Sequence, residues 1–495
     1  MDLIDIYFDD QRICNNKVDE VCLGIDLGTS NSCISIWRNN NVEIIPNKKG
    51  NKFIPSIISV LNDILYVGTP AKNQIMLNNS NTIYETKRFI GKKFNDISVQ
   101  NDKKFITYNI NEDNNGDIII CTNSKIYSPE DIACMILKEL KYMAEDYLGY
   151  EIKDVIVTVP AYFNDLQRDA TKIAADMAGL NCIRILNEPT AAALAYGIHH
   201  YATEEKYIIV YDLGGGTLDV SLLNICDGTY DVISSCGNTH LGGLDFDNRL
   251  YWYVLNQFLV KNNITNGNIN MFSLQKLKTE VEYAKRQLST NPTTKIAIKN
   301  FHENIDLCIV ISKELFENIC ADLFMLCIKP LQDIIYNSGI EITDINEIVL
   351  VGGATKIPKI KKNIKQFVKS HNKNIIINDS LNPDEVVCIG AAIQGYILKN
   401  PDNAFSSNIT LLDSTPLSIG IETMGGVMFN IIDRGTHIPV KKTALFTTEK
   451  DNQTTIILKI YEGERQLTKD NYLVGQFELS GIEKLPKGCP KIKLL

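Results

Sequence analysis

The sequence has no run approaching the ~20 apolar residues that a membrane-spanning helix requires, so it predicts no such helix. It has 13 cysteines but no C-x-x-C pair. An odd number of scattered thiols argues against a disulfide scaffold or zinc site and for a reduced compartment. It also lacks a basic excess: the net charge is −9 and the pI about 5.4. That balance argues against nucleic acid or an anionic membrane as the main partner. The first ten residues are acidic, whereas a secretory signal opens basic and a mitochondrial presequence is rich in Arg. The expectation is a cytoplasmic protein that binds neither nucleic acid nor membrane. The remaining composition, 44% hydrophobic and 22% charged over 495 residues, suits a globular chain of two to four domains.

The most informative stretch is Tyr211–Ser221, YDLGGGTLDVS. An apolar run from Tyr207 to Tyr211 predicts a buried strand that ends at Asp212. Gly214, Gly215 and Gly216 then allow a tight turn whose amides can approach an anion, because no Cβ intervenes. Asp212 and Asp219 are carboxylates of the kind that hold hard cations. The alternative is a plain hairpin turn with two solvated aspartates. The same device occurs earlier, at Asp26-Leu-Gly28-Thr29-Ser30. Two such hairpins, one near the start of each half, suggest duplicated halves that clamp a nucleotide tail.

Along the chain, residues 1–20 read as a polar extension. A hairpin with its turn at Arg38–Asn41 follows. Residues 46–128 read as an inserted subdomain with a helix near Pro70–Leu77. Ser128-Pro-Glu-Asp131 starts a helix with a capping-box pattern. Val155–Val159 is a central strand, Asn164–Ala178 a helix ended by Gly179, and an alanine-rich helix follows Glu188. Residues 242–320 form a second insert with helices at 244–262 and 273–288, and Ser312–Ile335 reads as helical. Residues 401–415 read as a linker. From Leu417 onward short alternating segments predict an all-β domain.

Taken together the motifs resemble the seventy-kilodalton heat-shock chaperone family (DnaK-like). The matching pieces include GIDLGTSNSC (24–33), AKNQ (71–74), VTVPAYFNDLQRDATKIA (157–174), NEPTAAALAYG (187–197), YDLGGGTLDVS (211–221), HLGGLDFDNR (240–249), EYAKRQLS (282–289), VLVGGATKIPKI (349–360) and LLDSTPLSIGIETMGG (411–426). The resemblance implies an α/β actin-like (ribonuclease-H-like) two-lobed nucleotide-binding domain over 21–400, followed by a β-sandwich over 416–495 without a helical lid. Lobe I would comprise 21–201 and 385–400, and lobe II 202–384. It also implies ATP or ADP with Mg2+, slow hydrolysis, and grip on extended apolar polypeptides. J-domain co-chaperones and nucleotide exchange factors are the implied partners.

For residue roles, the resemblance implies phosphate contacts from Gly28, Thr29, Ser30, Asn31, Gly214, Gly215, Gly216 and Thr217. Asp26 and Asp212 would hold Mg2+ through its water shell. Lys72 is read as the lysine beside the γ-phosphate, and Glu188 and Asp212 as the carboxylates that orient the attacking water. Asp219 would bind a monovalent cation such as K+ or orient water. Glu282, Lys285, Arg286 and Ser289 share a helix face that matches the family's adenosine contact. Gly352, Gly353, Ala354, Lys356 and Asp384 form the opposite wall. Lys356 stands where the family has Arg, and Lys stacks less well on a base. Leu244 replaces a usual Glu. Met424, Phe446, Ile456 and Leu458 match peptide-groove positions or, alternatively, sandwich core. Glu449 stands over that groove, where a carboxylate disfavours acidic peptides. In the linker, Thr410 interrupts the apolar core and the leading Asp is missing, which predicts weakened coupling between domains. Two other readings of the chain are an ATP-binding regulator or decoy of the chaperone cycle, and a sugar or glycerol kinase of the same superfold.

Overall fold

The computed structural model describes residues 20–199, 204–264, 269–371 and 375–494; most of the expected N-terminal extension lies outside this set. Two mixed sheets face each other across a cleft. The first runs Asn181–Asn187, Asp154–Val159, Leu23–Asp26, Asn31–Arg38, Asn41–Ile44. Its strands Leu23–Asp26 and Asp154–Val159 are parallel, and both read as buried β-branched or apolar runs. The second runs Ile376–Asn378, Ile345–Val351, Lys206–Leu213, Leu218–Cys226, Thr229–Asn238, Thr410–Ser414, His437–Ile438.

Helices cover the sheets where the sequence signals them. Ser128 caps Pro129–Leu148: its hydroxyl accepts from the Asp131 amide while Asp131 accepts from the Ser128 amide. Asn164 does the same with Gln167 for the helix Asp165–Met177. Such a box contributes about 1 kcal/mol. Glu188–His199 and Val386–Lys399 cross between the two sheets and share a core with Ile156, Leu186, Ile208, Val210 and Val349. The crossing is close because Gly390 permits it: a Cβ there would sit 1.7 Å from the Ala191 carbonyl oxygen. The two lobes are therefore packed together at this crossing, and each keeps its own core elsewhere.

One expectation gains detail and one changes. The stretch 312–335 is helical and is broken into three helices, Lys313–Ile319, Ala321–Leu326 and Lys329–Ser338. Cys320 leaves the helical region at φ −106°, ψ 14°, and Pro330 opens the third helix. The linker is not free chain. Ala404–Ser407 is a short helix, and Thr410–Ser414 joins the second sheet parallel to Thr229–Asp231. Thr410 sits at the exposed end of that pairing, where a hydroxyl is tolerated.

The C-terminal unit is antiparallel. Its main sheet runs Val427–Ile432, Ile419–Thr423, Thr455–Glu462, Tyr472–Ser480, and Ala444–Phe446 pairs with Ile492–Leu494. The chain has no described helix long and apolar enough to cross a membrane.

Candidate nucleotide site

The cleft is built by two turns of like sequence. In the first, the strand Leu23–Asp26 carries Asp26 to its end, opposite Thr158, and the chain turns through Leu27–Ser30. The turn is held by hydroxyls. Ser56 donates to the Gly28 carbonyl at 2.7 Å, Gly28 N–H donates to Ser32 Oγ at 3.2 Å, and the two serines touch at 2.9 Å. In the second, Lys206–Leu213 and Leu218–Cys226 form a hairpin in which Asp212 and Asp219 are register partners. Its glycines lie under the N-terminus of the helix Gly243–Asn262, whose Gly243 and Leu244 amides donate to the Gly214 and Gly215 carbonyls. Leu244 thus acts here through its backbone.

The turns face each other. A Cβ on Gly215 would lie 2.5 Å from Ser30 Oγ, and one on Gly216 would lie 2.8 Å from Thr29 Oγ1. Nothing but glycine fits such an approach. Asn31, by contrast, is exposed at the start of its strand.

Beneath the turns lie four acidic side chains, Asp26, Glu188, Asp212 and Asp219, of which all but Asp26 are nearly fully buried. Burial and the Glu188 charge push Asp26 up to about 7, against the pull of Lys87. The same two causes push Asp219 up to about 7. Burial, Glu188 and Asp219 hold Asp212 well above the usual carboxylate range. Asp219 accepts from the Tyr162 amide through Oδ1, while its Oδ2 is buried without a protein partner. Crowded, dry carboxylates with an orphaned oxygen are what a hard cation neutralises. Among the described residues no three acidic, His or Cys groups form a complete cage. Carboxylates such as Asp26 and Asp212 would meet Mg2+ through water, since that ion keeps several waters and takes few protein ligands.

The lysine in this cleft is Lys87. Its ammonium lies 2.7 Å from Glu188 Oε1, and both side chains are about one-tenth exposed. Lys72 lies elsewhere: it is exposed on the helix Thr69–Gln74, which packs on the small sheet of Ile57–Leu61 and Ile64–Val67. Sequence reasoning passed over Lys87 because Glu85-Thr-Lys-Arg-Phe-Ile resembles any charged loop before a buried pair. The available signal was the adjacent apolar Phe89 and Ile90, both buried, which fix the loop in place.

Several of the residues expected at an adenosine also lie near one another. Lys285 donates to the Gly243 carbonyl at 2.8 Å and pairs with Asp247 at 2.6 Å. A Cβ on Gly243 would lie 3.3 Å from Lys285 Nζ, 3.5 Å from Ala354 Cβ and 3.8 Å from the Gly214 carbonyl oxygen. Ser289 ends the same helix, Met271–Leu288, and lines a depression of about 220 Å³ with Lys285, Phe316 and Ile357. Arg286 pairs with Glu282 at 2.5 Å on the exposed face. Gly352 adopts φ +81° and passes beside Asp212, and Lys356 pairs with Asp384 at 2.5 Å.

Beyond the cleft, the linker strand is tied to the first lobe. Asn187 Nδ2 donates to both Asp413 oxygens at 3.0 Å, and Asn187 Oδ1 accepts from Arg168 at 2.8 Å. The C-terminal unit docks alongside: the Asp165 amide donates to Glu462 at 2.9 Å, Arg434 donates to the Ser235 carbonyl, and its guanidinium lies over Tyr162. None of these residues was picked out in the sequence. In that unit Met424 is 79% exposed at a tight turn, Ile456 and Leu458 point to one half-buried face, and Phe446 packs edge-on against Phe429. Glu449 is exposed.

The arrangement is that of a mixed α/β protein in which two glycine turns face each other, with a β unit tied on by a paired linker strand. The sequence model of the family described as Hsp70 protein matches residues 22–495. The "Heat shock 70 kDa protein" of Neurospora crassa is 45% identical over 477 residues, 95% of this chain and 73% of that protein. The "Heat shock cognate 70 kDa protein 3" of Dictyostelium discoideum is 43% identical over 479 residues, 95% and 75% respectively. The "Heat shock protein 70 homolog" of Acanthamoeba polyphaga mimivirus is 45% identical over 488 residues, 96% of this chain and 52% of that protein. The chain belongs to the Hsp70 family of chaperones, and spans about half to three-quarters of these relatives.

Proposed function

We propose that the chain binds Mg·ATP between its two glycine turns, hydrolyses it slowly, and couples hydrolysis to the grip of its β unit on extended apolar peptides. The observation that carries this is the approach of Ser30 and Thr29 to Gly215 and Gly216 above four acidic groups and one lysine. The nucleotide-binding part is 21–400 and the peptide-binding part 416–495.

The backbone amides and hydroxyls of Gly28–Ser30 and Gly215–Thr217 would hold the phosphates. Bound Mg2+, held by Asp26 and Asp212 through water, would neutralise phosphate charge. Lys87 takes the role expected of Lys72, because it alone of the two stands beside Glu188. Its point charge would face the charge that develops on phosphoryl transfer. Glu188, fixed by Lys87, and Asp212 would orient the attacking water; positioning suffices because phosphoryl transfer needs no strong base. The orphaned Asp219 oxygen suits a monovalent cation such as K+. Arg286 and Lys356 would flank the adenine.

Asn187 joins the chemistry to the linker. It is the residue before Glu188 and it grips Asp413. A change at the phosphates reaches the linker strand through one peptide unit. The β unit's exposed Met424, with Phe446, Ile456 and Leu458, would take apolar side chains, and J-domain co-chaperones and exchange factors would set the cycle. The appended β unit and the linker docking disfavour a sugar kinase. Single-turnover hydrolysis with and without an apolar heptapeptide tests the reading: stimulation is expected, and binding without any change in rate would refute the coupling.

A further inference from the structure

Four charged or titratable side chains bridge the lobes at the cleft mouth, beyond the residues given a role above. Arg88, on the first lobe, is 4% exposed. It pairs with Asp102 of its own lobe at 3.0 Å and with Asp245 of the opposite lobe at 2.7 Å, and donates to the Gly216 carbonyl at 3.3 Å. The second crossing is His240, on the loop before the helix Gly243–Asn262. Its Nε2 lies 2.6 Å from Asp102 Oδ1, across the cleft, and its Nδ1 lies 3.7 Å from Asp245 Oδ1. Asp245 also accepts from the Gly242 amide at 2.7 Å, so the same carboxylate anchors the helix above the second glycine turn.

We infer that His240, Asp102, Arg88 and Asp245 form a proton-controlled clasp that slows lobe opening, and hence nucleotide release, as the pH falls. The inference rests on the nucleotide reading above. Imidazole changes charge between about pH 5 and 8. Neutral, it can donate to only one of its two carboxylates and turns a lone pair toward the other. Protonated, it makes the crossing to Asp102 an ion pair, roughly twice as strong as a neutral hydrogen bond, and turns positive charge instead of a lone pair toward Asp245 Oδ1 at 3.7 Å. The other charged groups nearby do not cancel this. Arg88 is already shared between the two carboxylates, Lys92 adds positive charge near Asp102 and is offset by Asp96, and Glu85 is occupied by Lys278 at 3.0 Å. Burial would raise the Asp102 carboxyl, but the hydrogen bond from His240 and the Arg88 charge outweigh it and hold it below its usual range. One further oxygen, Asp102 Oδ2, is buried without a partner, so the carboxylate depends on its contacts with Arg88 and His240.

The test is release of a fluorescent ADP analogue with Mg2+ at pH 6 and pH 8, for the wild type and His240→Gln. Gln keeps a donor toward Asp102 and cannot titrate. Protonation of Asp26 would speed release in acid, so the readout is the wild-type ratio divided by the variant ratio. Release at pH 6 relative to pH 8 should be about fivefold slower in the wild type than in the variant. Equal ratios would overturn the clasp. Failure of both proteins to bind the analogue at either pH would instead overturn the nucleotide reading. Asp102→Asn serves as a second arm: it should also flatten the pH ratio, and a ratio like that of the wild type would count against the clasp.

Discussion

The two glycine turns have the same sequence frame but are braced differently. The turn after Asp26 is held inside its own lobe by side chains, Ser32 and Ser56. The turn after Asp212 is held by backbone, through the Gly243–Asn262 N-terminus, and across the cleft by Arg88. The first can keep its shape while the lobes move. The second feels lobe closure directly. A duplicated motif has therefore become one fixed jaw and one jaw that reports the state of the cleft.

That contrast can be broken at several points. The largest effect is expected from Lys87→Ala, which removes the cleft lysine from the side of the fixed jaw. Single-turnover hydrolysis should fall by about 10²- to 10³-fold, the loss typical of one transition-state contact, with nucleotide binding retained. Lys72→Ala should leave the rate near wild type, and a reversed result would return the role to Lys72. Next, Gly242→Ala places a Cβ 2.5 Å from the Gly215 carbonyl group. Overpacking of that kind costs about 1–3 kcal/mol, so ADP affinity by calorimetry should drop at least about fivefold. Ser56→Ala should cost only about 1 kcal/mol; equal losses would erase the asymmetry between the jaws.

A third break is Asp413→Ala, which leaves the Asn187 amide without its acceptor. Loss of a buried charged acceptor costs about 1–3 kcal/mol, enough to release the linker strand. Basal hydrolysis should persist while peptide stimulation disappears. A smaller effect is expected from pH. Asp26 and Asp219 rise from 3.8 to about 7 on folding. They bind protons in the native state that the unfolded chain releases, so their contribution is full below about pH 4 and is lost as the pH rises through about 7. The thermal unfolding midpoint without nucleotide should therefore fall as the pH rises across that interval, and the gain on adding Mg·ADP should be larger at pH 8 than at pH 6. The smallest change is Lys356→Arg, which restores a planar stacking cation. Nucleotide affinity should improve by no more than about 1 kcal/mol, and a loss would show that the Asp384 pairing matters more than stacking.

Much of this was legible in the sequence because it is local. Ser128 and Asn164 announce helix starts that the structure caps as expected. The Asp-Leu-Gly turns announce themselves because close approach admits only glycine. What was not legible depends on partners far away in the chain. Lys87 matters because Glu188, 101 residues on, comes to it. The linker becomes a strand because Thr229–Asp231 offers an open edge. His240 and Asp102 are 138 residues apart, and although His240 opens the HLGGLDFDNR stretch, nothing in that stretch points to Asp102. The division of 312–335 into three helices was not legible because apolar spacing continues across the break at Cys320, where only the backbone angles change.

The most direct test of the central claim is hydrogen exchange at the two turns, read with and without Mg·ATP. If a triphosphate is held from both sides, the amides of Gly28–Ser30 and of Gly215–Thr217 should gain protection together and at the same nucleotide concentration. Protection of one turn while the other exchanges unchanged would contradict the account.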